Sequence, residues 1–140
     1  PPVKEVHAMG SRVLTDQVDI ANARIAFANG CVATLTASRV SAKPMRKIRG
    51  FAPHLYVSVD CMSHSLTLGR TGDVARGEAP IIVEEKQFDQ KDSLLVQAQA
   101  FVAAVREKSV PRVSGADGAR ALELALNIKA KVEQSMREFT

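Results

Sequence analysis

Residues 27–41 read FANGCVATLTASRVS. At the centre, Asn29-Gly30 is the dipeptide that most often closes a two-residue β-hairpin, because both central residues of that turn need positive φ. Working outward, Val18 to Ala28 and Cys31 to Val40 become antiparallel strands. A two-residue loop pairs Ala28 with Cys31 and Phe27 with Val32. One face then carries Phe27, Val32, Ile25, Thr34, Ala23, Thr36, Ala21 and Ser38. The other carries Cys31, Ala26, Ala33, Arg24, Leu35, Asn22, Ala37, Ile20 and Arg39. The side chains are small and neither face is a plain charged one, so both faces are expected to be at least partly covered.

The first half of the chain continues in strands. Val3 to Leu14 alternates apolar and polar residues, with Gly10 weakening it or marking a bulge. Thr15, Asp16 and Gln17 make a turn before the hairpin. Arg46 to Phe51, Leu55 to Met62 and Ser65 to Arg70 follow, the last two joined through Ser63-His64. The run TGDVARGEAP, 71–80, is a polar loop, and IIVEEKQF, 81–88, is a last strand.

The end of the chain is helical. Asp89 is the candidate N-cap of a helix reaching Lys108, with Leu94, Ala98, Phe101, Val102 and Val105 on one stripe. Val110-Pro111 stops it. Ser114 and Asp117 have the spacing of a capping box, with Asp in place of Glu. The helix they start, about Ala116 to Arg137, carries Leu122, Ala125, Leu126, Ile128, Val132 and Met136. Strands first and helices last imply an α+β fold: a mainly antiparallel open sheet with helices packed on one face.

The 140 residues point to one domain, and 46% hydrophobic with 24% charged residues makes it globular rather than disordered. The net charge of +4 is spread out, and its densest cluster, Arg39, Lys43, Arg46, Lys47 and Arg49, has few aromatic neighbours. That is not the basic stripe with stacking rings of a nucleic-acid binder, so no nucleic-acid partner is expected. Cys31 and Cys61 lack metal or disulfide-scaffold spacing and read as free, buried thiols of a reduced, cytoplasmic protein. No apolar run approaches a membrane span, so no membrane partner is expected. The opening PPVKEV has no signal-peptide pattern and looks like a segment cut from a longer protein.

Few residues carry recognisable chemistry. Cys61 and His64 point to opposite faces of a strand and find no third ligand, so no metal site is expected. Asp60 and His64 read as surface polar residues, since no G-x-S-x-G elbow accompanies them. Gly69, Gly72 and Gly77 lack the spacing of a dinucleotide turn. Gly115 and Gly118 flank a helix start that capping explains. What remains is Ser38, Arg39, Ser41, Lys43 and Arg46, a loop of cations and hydroxyls just past the hairpin. Such a set can bind phosphate or carboxylate, or can be a solvated loop or a subunit contact.

The ordered motifs carry a resemblance. The strand VKEVHAMG, the run VDIANARIAFANGCVATLTASRVS, and KIRGF followed by LYVSVD resemble the C-terminal domain of the Gfo/Idh/MocA family of NAD(P)-dependent sugar oxidoreductases. LLVQAQAFVAAV and VPRVSGADGARALELALNIKAKV agree as well. The resemblance implies that residues 1–140 are the substrate and oligomerisation domain of a two-domain enzyme. A Rossmann domain outside this chain would bind NAD or NADP, so no cofactor is expected on this fragment. The family's catalytic lysine lies in an E-K-P motif that this sequence lacks. Its catalytic histidine precedes the strand holding His7, so no catalytic residue is assigned here. The implied partners are a sugar or nucleotide-sugar, for which ASRVSAKPMRKIRGF points to a UDP-N-acetylhexosamine, and a second copy meeting through the sheet face. Arg39, Lys43 and Arg46 are the expected substrate-binding residues. The alternative is a stand-alone dimerising or ligand-binding module without catalysis.

Overall fold

The computed structural model describes residues 1–138. Among the described residues the class is α+β, with seven strands and two α-helices in the expected order. Where one open sheet was expected, the strands divide into two antiparallel sheets, ordered β1-β2-β3 and β4-β5-β6-β7. They belong to two compact units: residues 1–42 with the chain from Ala104 onward, and Lys43–Ala103.

The first unit holds β1 (Val3–Ser11), β2 (Ile20–Phe27), β3 (Val32–Ser38) and α2 (Gly115–Glu138). The Asn-Gly hairpin forms, but with a register one residue from the expected one. Ala26 pairs with Val32 and Ile25 with Ala33. The Phe27 N–H donates to the Cys31 carbonyl at 2.9 Å, and the Gly30 N–H to the Phe27 carbonyl at 3.0 Å. The loop is therefore three residues, Ala28 to Gly30. Only Gly30 takes positive φ, at 85°. Three-residue loops need a single left-handed residue after a type I turn, and glycine supplies it without forcing Asn29 there. The Asn29 side chain instead accepts the Cys31 N–H at 3.1 Å.

A one-residue slip regroups the faces, because side chains alternate along a strand. Ala33, Leu35 and Ala37 join Ala21, Ala23 and Ile25. Thr34 and Thr36 join Arg24 and Asn22, and the Thr36 hydroxyl donates to Asn22 Oδ1 at 2.8 Å. The expected grouping of Arg24 and Asn22 with Leu35, Ala33 and Ala37 is corrected accordingly.

The Ile25 face is the covered one. β1 adds Val6, Ala8 and Gly10 to it, opposite Ile25, Ala23 and Ala21. α2 lies over it, with Leu124, Ile128 and Val132 turned inward at i, i+4 and i+8. Ile25, Ala23 and Val132 are buried. Leu122 and Leu126, expected in the inward stripe, are exposed. Gly10 is there because the helix comes close: a Cβ on it would meet Val132 Cγ1 at 2.5 Å. The strand irregularity lies elsewhere, between Val3 and Glu5. The helix opens with the expected capping box. The Asp117 N–H donates to Ser114 Oγ at 3.2 Å, and Asp117 Oδ2 accepts the Ser114 N–H at 2.9 Å.

The second unit holds β4 (Lys47–Ala52), β5 (Leu55–Asp60), β6 (Ser65–Thr71) and β7 (Ile81–Gln87), paired in sequence. Pro53 and His54 close β4 onto β5, His54 having φ 63°. A proline followed by a left-handed residue is the type II arrangement. Asp60 pairs with Ser65, so the next loop is Cys61 to His64 rather than Ser63-His64 alone. Asp60 Oδ1 accepts the Met62 N–H at 2.9 Å and the Ser63 N–H at 3.2 Å. Asp60 is thus the cap of this turn, and those hydrogen bonds, Ser63 first, lower its pKa. One sheet face carries Ile48, Val57, Val59, Leu66 and Leu68; the other carries Arg49, Phe51, Tyr56, Ser58 and Thr67.

α1 (Ser93–Glu107) starts at Asp92, whose Oδ1 accepts the N–H groups of Leu94 and Leu95 at 3.0 and 3.1 Å. Asp92, not Asp89, is therefore the cap, since an N-cap carboxylate serves the second and third helical N–H. Ala104 is buried, whereas Leu94, Phe101 and Val105 are exposed. Both cysteines are free, but neither is buried as expected; Cys31 is exposed beside the hairpin turn and Cys61 is half-buried. Among the described residues, no helix is long and apolar enough to cross a membrane.

Candidate functional site

The three expected binding cations fall in different units, Arg39 in the first and Lys43 and Arg46 in the second. Lys43 and Arg46 are exposed on the segment around Pro44. The Arg46 carbonyl accepts the Cys61 N–H at 2.8 Å, which fixes its backbone. Among the described residues, neither cation takes part in an ion pair. Their neighbour Lys47 does, with Asp60 at 3.8 Å.

Arg39 follows β3 directly. Its backbone N–H donates to the Asp19 carbonyl at 2.9 Å. Its Nε lies 3.6 Å from Asp19 Oδ1; the Arg39 side chain is 61% exposed while the Asp19 side chain is fully covered. The hydroxyls beside it close the turn. The Ser41 O–H donates to Ser38 Oγ at 2.9 Å, and the Val40 N–H donates to the same oxygen at 3.2 Å.

Asp19 is the centre of this arrangement, and the sequence alone did not point to it. It sits just ahead of β2, and the chain from Arg12 to Val18 wraps around it. Asp19 Oδ2 accepts the N–H groups of Val13, Leu14 and Thr15 at 2.9, 2.8 and 2.9 Å. Asp19 Oδ1 accepts the Thr15 hydroxyl at 2.8 Å. The N–H donors, Val13 first, hold the carboxyl far below the usual carboxylate range against the opposing effect of burial. These bonds favour the ionised form of Asp19. The available signal was Thr15 and Asp19 four residues apart around a turn, a pattern with which short polar side chains close loops on the backbone.

This arrangement leaves at the sheet end a guanidinium whose Nε lies at ion-pair distance from Asp19 and whose side chain is largely exposed. A planar fork of that kind matches phosphate or carboxylate oxygens. By contrast, at the start of α2 the N–H groups of Ser114 and Asp117 are paired with each other's side chains, so these two are not offered to an anion. Gly69 and Gly72 do not form a dinucleotide turn. Gly69 lies within β6 against Tyr56, and a Cβ on Gly72 would meet the Ala79 carbonyl oxygen at 2.0 Å. Neither is a strand-to-helix turn open to a pyrophosphate. A groove of about 1160 Å³ between β1 and α2 is lined by residues such as Val3, Phe27 and Asn127 and not by Arg39.

No family model matches the chain. UDP-N-acetylglucosamine 3-dehydrogenase of Acidithiobacillus ferrooxidans is 33% identical over 133 residues, which are 92% of this chain and 42% of that protein. The chain thus spans less than half the length of this curated relative. A crystal structure of that dehydrogenase, GnnA, superposes with a TM-score of 0.87 at 30% identity, over 96% of this chain and 43% of the other. A structure from Thermotoga maritima described as an oxidoreductase matches with a TM-score of 0.71 at 17% identity, over 94% of this chain and 38% of that one, a likeness of fold alone. Sequence and fold agree over nearly the whole chain with the C-terminal part of the Acidithiobacillus ferrooxidans dehydrogenase, a member of the Gfo/Idh/MocA family of oxidoreductases.

Proposed function

We propose that this chain is the C-terminal substrate-binding and dimerising domain of an NAD(P)-dependent dehydrogenase acting on a sugar or nucleotide-sugar. The observation that carries the reading is the 33% identity to UDP-N-acetylglucosamine 3-dehydrogenase across 92% of the chain. In this reading Arg39, at the end of the hairpin in the first unit, meets the anionic part of the substrate. Its guanidinium neutralises phosphate charge, and the hairpin end sets the substrate's position. A nicotinamide cofactor bound by another part of the parent protein would supply the hydride acceptor. This chain's residues bind and orient the substrate for hydride transfer.

The test is turnover by the full-length protein. With UDP-N-acetylglucosamine and NAD or NADP, reduced nicotinamide is expected to accumulate. Arg39→Ala is expected to raise KM at least about tenfold, roughly 1.4 kcal/mol. No turnover of any nucleotide-sugar would sink the activity. An unchanged KM in the variant would return the cluster to a solvated loop.

The dimer reading uses the corrected face. Opposite the face under α2, His7, Met9, Asn22, Arg24, Thr34 and Thr36 are all exposed. Polar and apolar groups mix there in the manner of a subunit contact. A dimer in sedimentation at micromolar protein is expected, and Thr34→Arg is expected to make it monomeric. A wild-type monomer, or a variant that stays dimeric, removes this face from the interface.

A further inference from the structure

We infer that Asp19 is a positioning residue for Arg39: it holds the guanidinium by Nε so that its terminal nitrogens are presented to a phosphate group of the substrate. The inference rests on the proposed function above and deepens it.

Asp19 is itself immobilised. Three backbone N–H groups occupy Oδ2, and the Thr15 hydroxyl fixes Oδ1, the oxygen 3.6 Å from Arg39 Nε. The Arg39 backbone is tied to the same residue through the Asp19 carbonyl at 2.9 Å. The anion is therefore a fixed post, and a long cationic side chain leans on it by its inner nitrogen. An arginine meant only to neutralise Asp19 would turn its two-pronged end inward, since the bidentate arrangement is the stronger one. Here the side chain is 61% exposed and its outer end is free of any other ion pair among the described residues. Ordering the guanidinium before ligand arrives lowers the entropy lost on binding. The geometry leaves the edge that pairs with two phosphate oxygens, so the ligand class is a phosphate ester or diphosphate.

The experiment separates this from a structural pairing, using the full-length protein with UDP-N-acetylglucosamine as substrate and UDP as competitive probe. In Asp19→Asn, the amide oxygen can keep the three loop N–H groups while the amide nitrogen faces Arg39 Nε, donor against donor. The expected result is a KM and a UDP inhibition constant raised about tenfold with kcat near wild type, assayed well below a melting temperature that falls with loss of the carboxylate charge. Arg39→Lys keeps the charge but loses the fork, and is expected to match Arg39→Ala. The double variant Asp19→Asn with Arg39→Ala is expected to be no worse than Arg39→Ala. A folded Asp19→Asn with wild-type KM, beside an Arg39→Ala that is impaired, overturns the positioning role and leaves the anion site standing. An unimpaired Arg39→Ala overturns the site itself and this inference with it. Should Asp19→Asn fold poorly, Arg39→Lys decides: a wild-type KM there overturns the inference.

Discussion

Replacing Gly10 by alanine is expected to lower the melting temperature by more than about 10 °C, a loss of about 3 kcal/mol at the upper end of overpacking costs. The added methyl group would lie 2.5 Å from Val132 Cγ1, 3.0 Å from Val18 Cγ1 and 3.1 Å from the Ile20 carbonyl oxygen. Val132 is 3% exposed and sits on the helix that covers the first sheet, so it has nowhere to swing. Either α2 lifts from β1, uncovering Ile25 and Ala23, or the strand bends away from β2. Val132→Ala removes the nearest obstruction. The double variant is therefore expected to be more stable than the sum of the single effects predicts. Thermal unfolding followed by circular dichroism reads all three. A Gly10→Ala protein as stable as wild type would mean that α2 does not approach β1 as closely as described.

The second large effect is at Asp19. Asp19→Ala leaves the N–H groups of Val13, Leu14 and Thr15 without an acceptor and Arg39 without its anion, and is expected to lower the melting temperature by about 10 °C at neutral pH. The effect depends on pH with a definite sign. The folded-state pKa of Asp19 is depressed, chiefly by the Val13 N–H and then those of Leu14 and Thr15. Its contribution is thus complete above the unfolded value of about 4 and declines as pH falls from there toward the folded value. Asp60 and Asp117 are depressed too, by turn and cap hydrogen bonds, and act in the same direction. The gap in melting temperature between wild type and Asp19→Ala is expected to be constant from pH 7 to 5 and to shrink between pH 4 and 2. A gap that stays the same down to pH 2 would show that the carboxylate charge is not what organises the loop.

Much of this protein is legible in its amino-acid order. Strand after strand can be bounded from alternation and turn residues, and the helix start at Ser114 can be read because the capping box is a local device. The end of the first helix follows from Val110-Pro111 for the same reason. The resemblance to the relative is legible as well, since it resides in the order of motifs along the chain. Asp92 is harder to tell from Asp89 because both precede the same apolar stripe, and only the N–H directions distinguish them.

Local chemistry in the sequence determined that this chain is α+β, that residues 18–40 form a hairpin about Asn29-Gly30, that a capped helix begins after Ser114, and that a cationic segment follows the hairpin. Tertiary structure alone decided the rest. The Asn-Gly pair is compatible with loops of two or three residues. The one-residue difference, which sends Ala33 and Leu35 to the Ile25 face and Thr34 and Thr36 to the Arg24 face, depends on which pairing lets β1 and α2 cover the apolar set. Gly10 reads as a weak point in a strand and becomes a necessity only when Val132, more than a hundred positions away, is brought against it. Asp19 looks like any polar residue before a strand. Its role arises from the convergence of three backbone N–H groups, one hydroxyl and Arg39, a set of directions that spacing along the chain does not encode.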